Sequence, residues 1–315
     1  MSGPQAAVPE RWAVRPTMLV CADGLGNRLG CSLTLAVECF QHTGSFKYRA
    51  ALNVARSVPH GRIIAASSGN FGQALALACR VTGKRCTIVM PGTSAQVKVE
   101  RVLHYGGEVD LVDVATTSRS DRVAQLAEAD PTAYIASAYD DDLVIQGNAS
   151  LGRELADCGQ AFDCVVAPVG GGGLTAGLGV GLRERGAHSA VWGAEPAQGN
   201  DAARSLRIGK LQKNDAEPAT VADGARTLSL GERNWAILKG GLAGIVEVSE
   251  ALIGDALVGL IDEENVKCEP TGALAVGAVL AEPARFANKR VCCVVSGGSV
   301  DRAVLTRLLA STVAL

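Results

Sequence analysis

The chain has 315 residues, 48% apolar and only 4% aromatic, with 37 glycines, and its 30 basic and 32 acidic side chains leave a net charge of −2. No block of like charge stands out, which excludes the footprint of a nucleic-acid binder and points to a small metabolite as partner. The N-terminal MSGPQAAVPERWAVRP lacks an apolar stretch of signal-peptide length and no run is long enough to span a bilayer, so a cytoplasmic protein without membrane contact is expected.

The ten cysteines, at 21, 31, 39, 79, 86, 158, 164, 268, 292 and 293, show no metal-ligand spacing and read as reduced core thiols. Early in the chain, TGSFKYRAA (43–51) sets Lys47 in what reads as a loop, just after small hydrogen-bonding residues. Strand-length apolar runs then alternate with helical patterns: RIIAAS, GNFGQALALACRVTG, RCTIVMP, SAQVKVERVLHYGG and EVDLVD. The rhythm returns in FDCVVAPV, GGGGLTAGLGVGLRERG and AVWGAEP, and again in RVCCVVSGG and SVDRAVLTRLLAST. Continuous apolar strands, each followed by a glycine-opened helix, predict an α/β protein with two mostly parallel sheets flanked by helices. Residues 62–139 form a compact repeat, and residues 1–61 with 140–315 read as one larger domain around it. The polar stretch IGKLQKNDAEPATVADGA (208–225) is the most linker-like.

Three glycine turns carry candidate chemistry. After VVAPV come Gly170, Gly171, Gly172 and Gly173, where backbone N–H groups at a helix start can cradle a phosphate; an ordinary flexible turn is the plainer alternative. No Gly-Lys-Ser/Thr follows and the spacing is not that of a dinucleotide fold, so the phosphate belongs to a different cofactor. In AASSGNFG, Ser67, Ser68, Gly69, Asn70 and Phe71 open a helix, suited to a substrate carboxylate or to nothing beyond an N-cap by Ser68 or Asn70. VVSGGSVD supplies Ser296. Turns at the carboxyl ends of parallel strands are expected to face one crevice.

With these motifs in this order, the chain resembles the fold-type II pyridoxal-phosphate enzymes, whose fold is tryptophan synthase β-like, and within them the serine/threonine dehydratase and serine racemase branch. The resemblance runs from about RPTMLV to SGGSVD. It implies that Lys47 holds pyridoxal 5'-phosphate through a Schiff base with Phe46 against it, and that Gly170 to Gly173 and Leu174 bind the phosphate. It further implies that Asn70 meets the ring hydroxyl, that Ser296 faces the pyridine nitrogen, and that Glu269 of CEPTGALA lies near the cofactor's far edge. WGAEPAQGND resembles a cation loop in which Glu195, the Gly199 carbonyl and Asp201 ligate Mg²⁺ or Ca²⁺; an acidic surface turn is the alternative. VADGARTLSLGERN matches a further family stretch. The implied arrangement is a large cofactor-binding domain with a small mobile domain at 62–139, and the implied assembly is a homodimer.

The implied activity is α,β-elimination from a small β-hydroxy amino acid to a 2-oxo acid and ammonia. Racemisation, with Ser68 as the acid/base opposite Lys47, and biosynthetic β-replacement are the alternatives. Ala36 and Cys39 in AVECFQ, Phe71 where a histidine is common, QGNASLGRE, and Ser299 for asparagine depart from the family wording and leave the substrate's side chain open.

Overall fold

The computed structural model describes residues 8–311; residues 1–7 and 312–315 lie outside them, including Thr312, which closes the expected last helix. The ten strands are β1 (Met18–Cys21), β2 (Ser32–Val37), β3 (Arg62–Ala66), β4 (Arg85–Pro91), β5 (Glu108–Val112), β6 (Tyr134–Ile135), β7 (Cys164–Pro168), β8 (Ala190–Pro196), β9 (Gly244–Val248) and β10 (Arg290–Val295). They form two sheets, as the alternating pattern predicts.

Among the described residues, the first compact unit comprises residues 8–15, 41–43 and 47–147. Its sheet has the order β5-β4-β3-β6, parallel throughout. Besides residues 62–139, the unit takes in the helix Lys47–Ser57, whose Tyr48, Ala51, Leu52 and Ala55 share one core with Phe71, Leu75 and Cys79 of the helix Asn70–Val81. Lys47 is therefore the first residue of a helix and not a loop residue: the following AALNVA is a run of helix formers with an apolar face to bury.

The second unit comprises, among the described residues, 16–40, 44–46 and 148–311. Its sheet has the order β1-β2-β10-β7-β8-β9, parallel except for β1, which runs antiparallel to β2. The run VCCVV is apolar without interruption because β10 is covered on both faces. Val291, Cys293 and Val295 face one core and Cys292 and Val294 face another; each such side chain fully withdrawn from water contributes about 1.5–3 kcal/mol. All ten cysteines are unpaired, but Cys21 is exposed on edge strand β1, so the core-thiol reading fails there. The stretch 208–225 is no linker. It stays inside the second unit, with Thr220 buried and Asn214 bonded to Asp201.

Candidate active site

In the first unit, β3 ends at Ala66 and the chain turns through Ser67, Ser68 and Gly69 into the helix Asn70–Val81. The N-cap position is Gly69 and not Ser68 or Asn70, and the hydroxyl that serves the helix start is that of Ser67, which accepts the N–H of Gly72 at 3.1 Å and of Gly69 at 3.4 Å. Ser67 is buried, whereas Ser68 and Asn70 are half-buried. A Cβ on Gly72 would meet the Ser67 carbonyl at 3.0 Å and Ile88 at 3.1 Å, so only glycine lets the helix start so close to the strand. Phe71 points into the core at 1% exposure, and the Nζ of Lys47 lies 5.9 Å from its ring centroid. The same amine donates to the Ala138 carbonyl at 3.0 Å. The turn bearing that carbonyl is held by Ser137, whose hydroxyl accepts the N–H of Asp140 at 2.9 Å. Neither Ala138 nor Ser137 carries a sequence signal, because a backbone carbonyl is the working group.

In the second unit, β7 and β10 are parallel neighbours, so the glycine loop that follows β7 and the Ser296 turn that follows β10 stand at the same end of one sheet. The Ser67 loop likewise follows the carboxyl end of its strand, β3, in the sheet of the first unit. Gly172 adopts φ +88, and a Cβ there would fall 2.8 Å from Leu230 and 3.0 Å from Leu238. The loop's carbonyls are gripped from behind. Asn234 Nδ2 donates to Gly171 at 2.7 Å, the Gly231 N–H to Gly171 at 3.1 Å, and Asn148 Nδ2 to Gly173 at 3.0 Å. Among the described residues, the N–H groups of Gly171, Gly172 and Gly173 donate to no part of the chain. With Leu174 they open the helix Gly173–Glu184, whose positive end favours an anion. Sequence reasoning misses Asn148 and Asn234: Asn234 lies in the quoted GERN and Asn148 in QGNAS, where an asparagine alone reads as surface.

Gly224 N–H donates to Thr271 Oγ1 at 3.0 Å, and a Cβ on Gly170 would meet Ala225 at 3.0 Å, so the VADGA stretch backs the loop. Ser296 is buried, and its carbonyl accepts the N–H of Phe46 at 3.0 Å. Glu269 precedes the helix Pro270–Ala281 and its N–H donates to Gly297 at 3.0 Å. A Cβ on Gly297 would lie 2.7 Å from Glu269 Oε1 and 2.9 Å from Ser45, which packs these residues around one glycine. The Ser45 hydroxyl is buried there with no hydrogen-bond partner among the described residues.

Glu195, at the end of β8, and Asp201, opening the helix Asp201–Ile208, are both buried. Glu195 accepts the N–H of Ala202 at 2.9 Å and of Ala203 at 2.8 Å; Asp201 accepts Asn214 Nδ2 at 2.8 Å and the Leu230 N–H at 3.0 Å. Burial, followed by the charge of Asp201, pushes the Glu195 carboxyl well up, and burial pushes Asp201 up to about 7. Each carboxylate oxygen keeps a lone pair beyond the bonds named, and all-oxygen donors are the type that a hard cation such as Mg²⁺ or Ca²⁺ takes. Among the described residues no group of three or more His, Cys, Asp or Glu is placed to hold a metal, so any such ion would draw on the Gly199 carbonyl or water.

Two parallel-dominated α/β sheets, a strand-end glycine cradle with unspent N–H groups, and a lysine amine between a carbonyl and an aromatic ring define a cofactor-dependent enzyme of fold type II. The family model described as pyridoxal-phosphate dependent enzyme matches residues 11–297. The β-hydroxyaspartate dehydratase of Paracoccus denitrificans (strain Pd 1222) is 34% identical over 292 residues, covering 91% of this chain and 92% of that protein. The serine racemase of Schizosaccharomyces pombe is 33% identical over 268 residues, covering 84% and 82%. Among solved structures, a threonine deaminase from T.th. superposes with a TM-score of 0.86 at 38% identity, covering 92% of this chain and 94% of that one. The chain belongs to the pyridoxal-phosphate dependent enzyme family, in its serine/threonine dehydratase and serine racemase branch, and its cofactor is pyridoxal 5'-phosphate. Both cradle and amine fit that group. Among the described residues no helix is long and apolar enough to cross a membrane.

Proposed function

We propose that the protein is a lyase that expels the β-hydroxyl of a small β-hydroxy amino acid as water and releases its nitrogen as ammonia, leaving a 2-oxo acid. The observation that carries this reading is the glycine loop, whose carbonyls are held by Asn148 and Asn234 while its N–H groups remain for a phosphate. When bound, the cofactor supplies a sink for the electron pair left at the α-carbon. The chain's own groups do the rest in this reading. Lys47 would hold the cofactor and its amine would take the α-proton, with the buried Phe71 ring 5.9 Å away. The helix start at Ser67 to Phe71 receives the substrate carboxylate through its N–H groups and dipole. Asn70 is assigned to the ring hydroxyl, Phe46 to the side of the ring, Glu269 to its far edge, and Ser296 to its nitrogen. A neutral hydroxyl at that nitrogen leaves it largely unprotonated, which favours early loss of a β-leaving group.

The names of the Paracoccus dehydratase and of the L-threo-3-hydroxyaspartate ammonia-lyase of Saccharomyces cerevisiae put 3-hydroxyaspartate first among the substrates to try. Mg²⁺ or Ca²⁺ at Glu195, the Gly199 carbonyl and Asp201, a homodimeric assembly and a cytoplasmic location complete the reading. The test is 2-oxo acid release by the holoenzyme from 3-hydroxyaspartate, serine and threonine. Release from at least one supports elimination; a cofactor-loaded protein inert toward all three overturns it.

Racemisation is supported as a second activity by one observation: Ser67 takes the capping duty, and no hydrogen bond engages the Ser68 hydroxyl among the described residues. Inversion needs an acid on the face opposite Lys47, which Ser68 would supply. Ser68→Ala should then stop interconversion of enantiomers while largely sparing elimination from the L-substrate. Unchanged α-proton exchange from the D-enantiomer in deuterated water would remove that role.

A further inference from the structure

Residues 9–15 make a short 3-10 turn, Glu10–Trp12, and then an extended tail, flanked by Pro9 and Pro16. Their carbonyls are taken up by side chains that stand on either side of Lys47 in the sequence. Tyr48 Oη donates to Trp12 at 2.7 Å, and His42 Nε2 meets the Ala13 carbonyl at 3.0 Å; since a carbonyl only accepts, the ring nitrogen is the donor. Gln41 grips Arg15 twice, accepting its N–H at 3.2 Å and donating to its carbonyl, and Arg49 Nη2 donates to the same carbonyl at 3.3 Å. Ring contacts reinforce the polar ones: Trp12 lies 5.3 Å from His42, His42 4.8 Å from Tyr48, and the Arg80 guanidinium 5.8 Å from Trp12. Gln41, His42, Tyr48 and Arg49 are all buried.

Inside this bracket the backbone is strained. Thr43 has φ 65, a left-handed conformation that a β-branched residue adopts only when its surroundings enforce it. The same segment leads into Lys47 at the first residue of its helix, with its amine on the Ala138 carbonyl.

We propose that residues 9–15 are a strap that holds residues 41–49 in this strained form and thereby positions the amine of Lys47. The proposal rests on the reading of Lys47 as the amine that carries the cofactor and takes the α-proton. Gln41, His42, Trp12, Tyr48 and Arg49 are positioning residues: they act through the backbone that bears the lysine. Without the strap, Thr43 can relax to negative φ, and the amine loses the fixed placement that makes attack on a carbonyl effectively intramolecular.

The test uses the full chain with three variants, Tyr48→Phe, Gln41→Glu and Lys47→Ala. Tyr48→Phe keeps the buried ring and removes only the hydroxyl that holds Trp12, so the fold is retained. Gln41→Glu turns the donor to Arg15 into an acceptor at constant shape. For both, kcat should fall about fivefold or more with KM within about twofold, the split expected of misplaced chemistry. Reductive labelling of Lys47 by pyridoxal phosphate and borohydride in the cofactor-free protein, read by peptide mass spectrometry, should slow by a similar factor. Parental kcat, or a parental labelling rate, in both strap variants overturns the strap. Turnover by Lys47→Ala overturns the underlying reading instead, so the two failures are told apart.

Discussion

Gly172→Ala tests the phosphate cradle where its geometry leaves least room. The residue sits at φ +88, where an L side chain costs about 1–2 kcal/mol. The added methyl would stand 2.8 Å from Leu230, 3.0 Å from Leu238 and 3.1 Å from Asn234. Overpacking of that kind costs typically about 1–3 kcal/mol. Two of the three neighbours are terminal carbons of leucines, which can yield, but Asn234 presents its Cβ and is fixed by its bond to Gly171. The strain therefore falls on the loop and displaces its N–H groups. An effect of about 2–5 kcal/mol should divide between melting temperature and cofactor affinity. The part expressed in affinity lowers it roughly tenfold for every 1.4 kcal/mol. Titration of the cofactor-free protein with pyridoxal phosphate, followed by visible absorbance, measures that part, and calorimetry measures the rest. A variant that binds the cofactor as tightly as the parent and melts at the same temperature would refute the cradle.

Lys47→Ala should abolish turnover and the visible band of the lysine-linked cofactor while circular dichroism and melting stay near the parent, because a half-buried helix-start side chain leaves no core cavity. Retained catalysis with a normal spectrum would end that assignment. Chelator treatment should lower the melting temperature, with Mg²⁺ or Ca²⁺ restoring it in a concentration-dependent manner, since a ligand of the folded state stabilises by mass action; a metal-stripped sample indifferent to both ions leaves Glu195 and Asp201 as helix-capping carboxylates. His42 is held below the usual histidine range by burial and then by Arg15, against the pull of the Ala13 carbonyl, with Arg49 and Arg80 as the further cations packed about the strap. A lowered histidine resists protonation in the folded state, so its contribution is complete above about pH 6.5 and is lost as pH falls below it. The melting temperature should therefore drop from pH 7 to pH 5 more in the parent than in His42→Gln; equal slopes would show that His42 does not titrate against the fold.

The parallel strands were legible because burial on both faces writes itself as an unbroken apolar run, as in VVAPV and VCCVV, with a glycine turn at each end. What stays hidden in the sequence follows from the same physics. β6 has two residues and β1 four, too short to show a period. β9, GIVEV, carries a half-buried Glu247 that pairs with Arg207 and breaks the run. The helix at Lys47–Ser57 is masked by its start: Thr-Gly-Ser reads as a turn, and Tyr-Arg reads as polar surface. Both side chains are nevertheless fully inside, Tyr48 on the Trp12 carbonyl and Arg49 on that of Arg15.

At the site, the residues that the sequence could nominate are those whose chemistry lies in the side chain or in the absence of one: Lys47, the hydroxyls, the glycines. The groups that hold them are backbone carbonyls at Trp12, Ala13, Arg15, Ala138 and Gly171, which any residue supplies and no motif records. Their donors could be found only in pairs, since Asn234 means nothing until Gly171 is seen in front of it, and His42 reads as surface until Trp12 covers it. The same asymmetry bears on specificity. Phe71 is a side chain and is visible in the sequence. Its consequence, an apolar ring beside the lysine amine, is visible only once the 5.9 Å approach is known. Neither that ring nor the Ala138 carbonyl can take up and pass on a proton. In the proposed reading it is Lys47 that takes the α-proton, which places the demand for accurate positioning on the segment that residues 9–15 hold.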